Sequence, residues 1–475
     1  MVKTGTGVGN GARIKAAARK YVFSDKKFYT SMLTIAMPIV LQNFIGSSLN
    51  MVDTVMIGQV GEDQIAAVGI ANQYFLLFVL FILGIHSGCG VFISQFWGKG
   101  DRHNIRKVLL TGLITSVALS VLFMIPALFY SKGVITIFNN EPSVVSEGSA
   151  YLKIVCASYI FTALSFGYGF ASRSIGNALM PMAASIAGLV SNAVLNYILI
   201  FGKLGAPAMG VRGAAIATVI ARAVETLIMM AYIYASGKNV LAVRLSESKG
   251  INRDFVIKVF KTVIPVVLNE SSWALGFVAY SVAYGRIGAN AITAVQICNT
   301  VQNMFTVALF GLAGAAAVMV GHKIGEGNEE EGKIYAWRFI ILSLVGGLAA
   351  GGLLAASSPL ILSFFKVSAG VYESALWILY MTSVIMVARC FNIITIVGIL
   401  RGAGDARFAF IAEGITMWFV GVPLSFIGAC VLKLPVHYVV ALVTVEEVVK
   451  SIIVLIRLFS NKWVKNVVNE FAGIM

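Results

Sequence analysis

A carboxylate stands at position 53 on the polar arc of an otherwise apolar segment. On a helical wheel of about 100° per residue, Gln42, Asn43, Gly46, Ser47, Asn50, Asp53 and Thr54 share that arc, while Leu41, Phe44, Leu49, Val52 and Met56 cover the rest. A second polar face lies in "SIAGLVSNAVLNYILIFG", where Ser185, Asn192 and Asn196 line up, and the following apolar segment adds Thr218. Carboxylate, amide and hydroxyl oxygens are the hard ligands that Na⁺ prefers, with Asp53, Asn192 and Asn196 the candidate metal ligands. The same set can hold a proton on Asp53, because burial disfavours the charged form of a carboxylate. Two blander readings compete: Asp53 as a helix cap near the outer surface, and the amides as interhelical glue.

Further along, Glu270, Trp273, Phe277, Tyr280 and Tyr284 fall on one helical face. An acid beside aromatic rings suits a lipophilic organic cation, through charge pairing and cation–π attraction; the competing reading is an aromatic core stripe. Other charges in apolar surroundings read as structural. Arg222 and Glu225, three apart, are expected to pair, as are Arg389 and Glu413 between neighbouring helices, while Glu446, Glu447 and Lys450 form a local cluster.

The elements that must position these residues are membrane helices. The 475 residues are 58% hydrophobic and 12% charged, with a mean hydropathy of +0.87, well beyond soluble domains. A bilayer core needs about 20 apolar residues as helix. Such runs occur near 31–57, 64–97, 104–130, 147–172, 179–201, 211–235, 258–285, 291–322, 334–365, 372–400, 407–431 and 436–460. Twelve spans are therefore expected in an all-α integral membrane protein.

The chain also repeats itself. A shift of 227 places Pro38 on Pro265, Gly58 on Gly285, Asn72 on Asn299, Gly98 on Gly325 and Gly100 on Gly327, and a shift of 228 places Arg173 of "RSIGNA" on Arg401 of "RGAGDA". Six spans per repeat, an even number, enter the membrane in the same direction, so the two lobes are expected about a pseudo-two-fold axis along the membrane normal. The expected organisation is a basic arm over 1–30, a six-helix lobe over 31–235, a linker over 236–257, a second lobe over 258–460 and a tail over 461–475. The register sets Asn43 against Glu270 and Asp53 against Tyr280. The two acids thus lie ten residues, or about 15 Å, apart in depth.

The formal charge of +15 follows topology and gives no sign of nucleic-acid binding. Lys and Arg concentrate in the arm, in the even-numbered loops and in the linker, which puts both termini and those loops in the cytoplasm. The five cysteines fall within apolar segments without paired spacing, so neither a disulfide framework nor a zinc site is expected. No Walker A loop, nucleophile elbow or His-Glu-x-x-His is present, so the chain is not expected to be an enzyme or to carry a cofactor.

Over residues 30–460 the sequence resembles the multidrug and toxic compound extrusion (MATE) family, near its bacterial NorM-like branch. The stretches that carry the likeness are "MPIVLQNFIGSSLNMVDTVMIGQVG", "SQFWGKGD", "SNAVLNYILIFG", "GVRGAAIATVIAR", "PVVLNESSW" and "LRGAGDA". The resemblance implies an antiporter of the bacterial inner membrane that exports varied, often cationic, small molecules against Na⁺ or H⁺ by alternating access. Membrane lipids are its only other expected partners, with no obligate protein partner. It further implies that Asp53, Asn192, Asn196 and Thr218 bind the coupling ion and that Glu270 acts in the second lobe. Asn392 stands where several relatives carry an aspartate, and Asn196 where others do. A flippase for lipid-linked oligosaccharide is the alternative within the same superfamily. Its pyrophosphate would call for several buried Arg or Lys, whereas the candidates here are acids and aromatics.

Overall fold

The computed structural model describes residues 26–235, 237, 239–244, 247 and 250–471, the side chains of Leu49 and Asn50 excepted. The expected arm lies almost wholly outside the described residues. Among them there are helices and connecting turns, and no strand. In chain order these are α1 (Lys26–Gly58), α2 (Glu62–Lys99), α3 (Arg102–Phe129), α4 (Ser131–Thr136), α5 (Pro142–Val155), α6 (Ser158–Ser174), α7 (Leu179–Phe201) and α8 (Gly210–Ala235). The second half contains α9 (Arg253–Ile287), α10 (Ala289–Gly325), α11 (Glu329–Ser363), α12 (Ala369–Ile393), α13 (Ala406–Thr416), α14 (Val422–Phe426) and α15 (Val436–Phe459).

Among the described residues, ten helical stretches are long and apolar enough to cross a membrane, and the bent pair α5–α6 makes eleven. The twelfth, α15, is 24 residues long, about 36 Å at helical rise, and carries Glu446, Glu447, Lys450 and Arg457 among its apolar residues. The chain is thus an all-helical, multi-pass membrane protein.

Three local departures from the expected spans have physical causes. The fourth span is broken, not continuous: α5 and α6 meet at 50°, where Ala157 and Tyr159 donate to carbonyls only three residues back and tighten the turn. The tenth span continues from α12 as a π-helical stretch over Ile394–Leu400. The eleventh passes through π-helical turns at Met417–Gly421 and Ile427–Val431, on either side of the short α14 that contains Pro423. A proline there removes a backbone donor and forces a different hydrogen-bond spacing around it.

The lobes are crossed at their first helices. The start of α1, from Phe28 to Ile39, packs with Ala313, Val320, Phe339 and Leu400 of the second lobe. Its far end, at Ile57, packs with Ala71, Tyr159 and Ala215 of the first. The repeat-equivalent α9 does the converse. Phe255, Val259 and Val263 pack with Phe92, Ile105 and Leu109 of the first lobe, and Tyr280 and Tyr284 belong to the core of the second. Between the two halves of each crossing helix lies a proline, Pro38 or Pro265.

At the end of the bundle where α2 and α10 finish, hereafter the basic end, the lobes are sealed. Gly98 and Gly325 give up their side chains so that α2 and α10 can touch, Gly98 against the His322 carbonyl and Gly325 against that of Gln95. The described part of the expected tail, up to Phe471, is built into this seal. Gln95 is fully buried; its amide donates to the carbonyls of Gly402 (3.2 Å) and Lys465 (3.1 Å) and accepts from the Val467 amide (2.9 Å). Phe471 packs its ring edges on Phe92, Phe96 and Phe255, with centroids 5.1 to 5.7 Å away. Chain from beyond the second lobe thereby completes the hydrophobic core of the first.

Candidate functional site

Within the first lobe, α1, α2, α5, α7 and α8 line a partly open cavity of about 450 Å³. Asp53 projects into it from the far half of α1. α7 supplies Asn192 and Asn196, four residues apart and therefore on one helical face, both buried. Asn196 donates to Asp53 Oδ1 at 2.8 Å. With its amide turned so that nitrogen faces the carboxylate, Asn192 donates to Oδ2 at 2.8 Å and to Oδ1 at 3.1 Å; the other amide atom of Asn192 lies 3.4 Å from Thr218 Oγ1. The four residues expected to bind the coupling ion are thus brought together from three helices. Asp53 does not act as a helix cap.

The Asn196 carbonyl oxygen is buried and has no hydrogen-bond partner. The lining offers the Asp53 carboxylate, the side-chain amides of Asn192 and Asn196 and the Thr218 hydroxyl, an oxygen-rich donor set that fits a hard cation and equally a proton held on the carboxyl. No ion pair joins Asp53 to any described residue: the nearby Arg222 binds Glu225 Oε2 at 2.8 Å, as their spacing indicated. Glu225 in turn accepts from Ser185 at 2.6 Å, and Ser185 accepts from Gln42 at 2.7 Å. This relay runs from α1 through α7 to α8 and ends at the cavity, which Arg222 and Glu225 line together with Asn72 and Tyr151. The sequence marked Asn72 only through its match to Asn299, and Tyr151 carried no signal.

The second set is brought together only in part: its rings touch in sequence, while its acid is engaged elsewhere. Glu270 forms an ion pair with Arg401 at 2.6 Å, and Arg401 also donates to Asn269 at 3.1 Å. Arg401 is almost fully buried, so the acid expected to receive a cationic substrate already holds a cation of the protein. Trp273 and Phe277 remain in contact, with ring centroids 4.5 Å apart, and Trp273 is exposed. Tyr280 meets the Phe277 ring edge-on, with centroids 6.2 Å apart, and together with Tyr284 belongs to the core of the second lobe, where it donates a hydrogen bond to Glu446. A shared face along α9 therefore divides: the long helix passes from the lobe interface into its own lobe, and its rings face different surroundings.

The expected pair Arg389–Glu413 does not form. Glu413 binds Lys450 at 2.8 Å, while Arg389 donates to Gln302 at 2.6 Å and lies 3.8 Å from Glu447. Asn392 donates to the Glu447 carboxylate at 2.7 Å and to its carbonyl at 2.9 Å.

The family model MatE matches twice, over residues 38–198 and 265–427. The chain belongs to the MatE family. The two matches fall on the two repeats, one in each lobe. Among MatE relatives, the chain is 26% identical to the probable multidrug resistance protein NorM of Agrobacterium fabrum, over 84% of this chain and 86% of that protein. It is 24% identical to the uncharacterized transporter YisQ of Bacillus subtilis, over 93% and 96%. A crystal structure of MATE in the bent conformation superposes with a TM-score of 0.84 at 19% identity, covering 92% of this chain and 96% of that one. A MOP superfamily transporter from Pyrococcus furiosus gives 0.82 at 19%, over 91% and 96%. These likenesses support the twelve-span MATE fold.

Proposed function

We infer that the protein is a secondary antiporter that exports drugs or metabolites, chiefly organic cations, in exchange for Na⁺ or H⁺. The relatives named as multidrug resistance proteins support the export reading. The observation that carries the coupling reading is Asp53: a carboxylate held by two amides in a cavity of the first lobe, with no ion pair to any described residue. Such a group binds Na⁺ or a proton and releases it as the surroundings change, which is what coupling requires. An isolated charge in a membrane interior is costly, so occupancy of Asp53 and closure of the cavity are energetically linked.

The basic end is assigned to the cytoplasm of a bacterial cell, with both termini and the linker there. The seal of Gly98, Gly325 and the tail then closes the cytoplasmic side, and alternating access requires that seal to part. Cysteines at Ser24 and Ser248, both outside the described residues, should label in intact cells only with membrane-permeant reagents; labelling by an impermeant maleimide reverses the orientation. In substrate recognition, Trp273 and Phe277 offer cation–π contact, and Glu270 contributes charge only when Arg401 releases it.

The direct test is efflux from proteoliposomes under a Na⁺ gradient and a pH gradient imposed separately. Uphill efflux driven by either gradient, and lost in Asp53→Asn, supports the reading. Efflux indifferent to both gradients refutes it.

A further inference from the structure

The charged set expected to be a structural cluster in the second lobe occupies the place of the first lobe's ion site. Extending the repeat register by the shift of 228 sets Gly176 on Gly404, Pro207 on Pro435, Ser185 on Glu413, Thr218 on Glu446 and Arg222 on Lys450, while the shift of 227 sets Asp53 on Tyr280. The contacts follow the register. Tyr280 of α9 meets Glu446 of α15, where the first lobe sets Asp53 of α1 near Thr218 of α8; Glu413 meets Lys450, where the first lobe has Ser185 and Arg222. The acid has changed sides, from the first helix of the lobe to its last. The two amides that hold Asp53 have no counterpart, since their positions carry Val420 and Leu424.

The charges in this set do not balance. α15 contributes Glu446, Glu447 and Lys450, α13 contributes Glu413, and α12 contributes Arg389, with Tyr280 and Tyr284 facing from α9 and Gln302 from α10. Lys450 bridges Glu413 at 2.8 Å and Glu446 at 2.7 Å, and Arg389 lies nearest to Glu447. Three carboxyls thus face two cations. The side chains of Glu446 and Lys450 are each 5% exposed, so water does not compensate the surplus. The next charges are satisfied among themselves: Glu270 by Arg401, and Asp405 by Arg457 and Lys465, the last of which reaches solvent. A surplus negative charge in a dry site is held only with a bound cation or proton. Lys450 already occupies the centre of the set between two carboxylates, where a metal ion would have to sit, so the smaller ligand remains.

We propose that the second lobe holds an exchangeable proton of its own, shared among Glu413, Glu446 and Glu447 around Lys450, at the repeat-equivalent position of the Asp53 site. The proton belongs to the set and not to one residue, because the carboxyls interact too closely to titrate separately. Glu447 and Arg389, with side chains 18% and 26% exposed, give it a route to water. Its consequence for transport rests on the ion-coupled reading above: each lobe would then carry one ion, and a full cycle two.

The test reads protonation directly, without transport. Full-length Asp53→Asn in lipid nanodiscs at neutral pH should show the infrared carbonyl stretch of one protonated, hydrogen-bonded carboxylic acid. Adding Glu446→Gln should abolish it, and so should adding Glu413→Gln, because either change leaves two carboxylates for two cations. The second variant keeps the result readable if the first does not fold. No such band in Asp53→Asn, or a band that survives in a folded Glu446→Gln or Glu413→Gln protein, overturns the proposal. Proteoliposome measurements then separate the two readings. A twofold fall in protons moved per substrate in Glu446→Gln extends the site to coupling. Efflux indifferent to every ion gradient sinks the antiport reading and leaves the infrared result to stand or fall alone.

Discussion

Gly98 and Gly325 are the same position of the two repeats and each lies against the other lobe's backbone, Gly98 on His322 and Gly325 on Gln95. This reciprocal contact admits no Cβ on either side without moving a main chain, and a packed interface responds to such an intrusion by changing state and not by bending gradually. Gly325→Val should therefore open the basic end. Spin labels on the exposed Arg102 and Glu326 should report a longer distance in Gly325→Val and in Gly98→Val than in the parent protein. An unchanged distance distribution would mean that this contact does not hold the lobes together.

Asp53→Asn keeps shape and hydrogen-bonding capacity while removing the charge. Expression and thermal unfolding should stay close to the parent, because no ion pair is broken. Gradient-driven efflux should fall at least about tenfold, the equivalent of roughly 1.4 kcal/mol in linkage between ion and substrate. Retained coupled efflux would transfer the role to another group.

For Glu270 the expected effect is on stability first. Glu270→Gln leaves Arg401 buried without its counter-charge, a change that costs about 3 kcal/mol when a buried pair loses one partner. Unfolding in detergent should move to lower temperature by several degrees, and Glu270→Gln/Arg401→Met should recover most of the loss. If the single variant is as stable as the parent and loses cationic ligands selectively, Glu270 is a recognition residue that Arg401 merely parks.

The docked tail yields a separate expectation. Phe471→Ala removes a ring packed on three others and should cost about 3 kcal/mol of local stability. Amide exchange should accelerate in Val467–Phe471 and around Phe92 and Phe96 together, since both form one core. Faster exchange confined to the tail would show that it lies on the seal without contributing to it.

What was legible in the sequence divides by range. The spans could be read because apolar runs of this length have few other destinations, and Asn192 and Asn196 could be read as a pair because four-residue spacing fixes one face. The break at Cys156–Ala157 could not, since every residue from Val155 to Ser158 tolerates a straight helix and the bend comes from packing. The partners of Glu270 and Glu413 lie 131 and 37 residues away, and periodicity carries no information across such distances. The repeat itself carries a signal: extended from Arg401 to Lys450, it sets Glu446 on Thr218 of the first lobe's ion site and Glu413 on Ser185 beside it in α7. The docking of the tail was not legible because its anchors Trp463, Val467, Val468 and Phe471 are too few to stand out against a basic, polar background.

That tail also sets an order of events during synthesis. The core around Phe92, Ile105 and Leu109 closes only when Phe255 and then Val467, Val468 and Phe471 arrive, the last of them more than two hundred residues after Phe255. At about 5–20 residues per second, the first lobe waits in the bilayer for on the order of ten to forty seconds with part of its interior uncovered. Ribosomal pausing before Val467, or loss of the codons for Val467, Val468 and Phe471, would therefore injure the half of the protein made first.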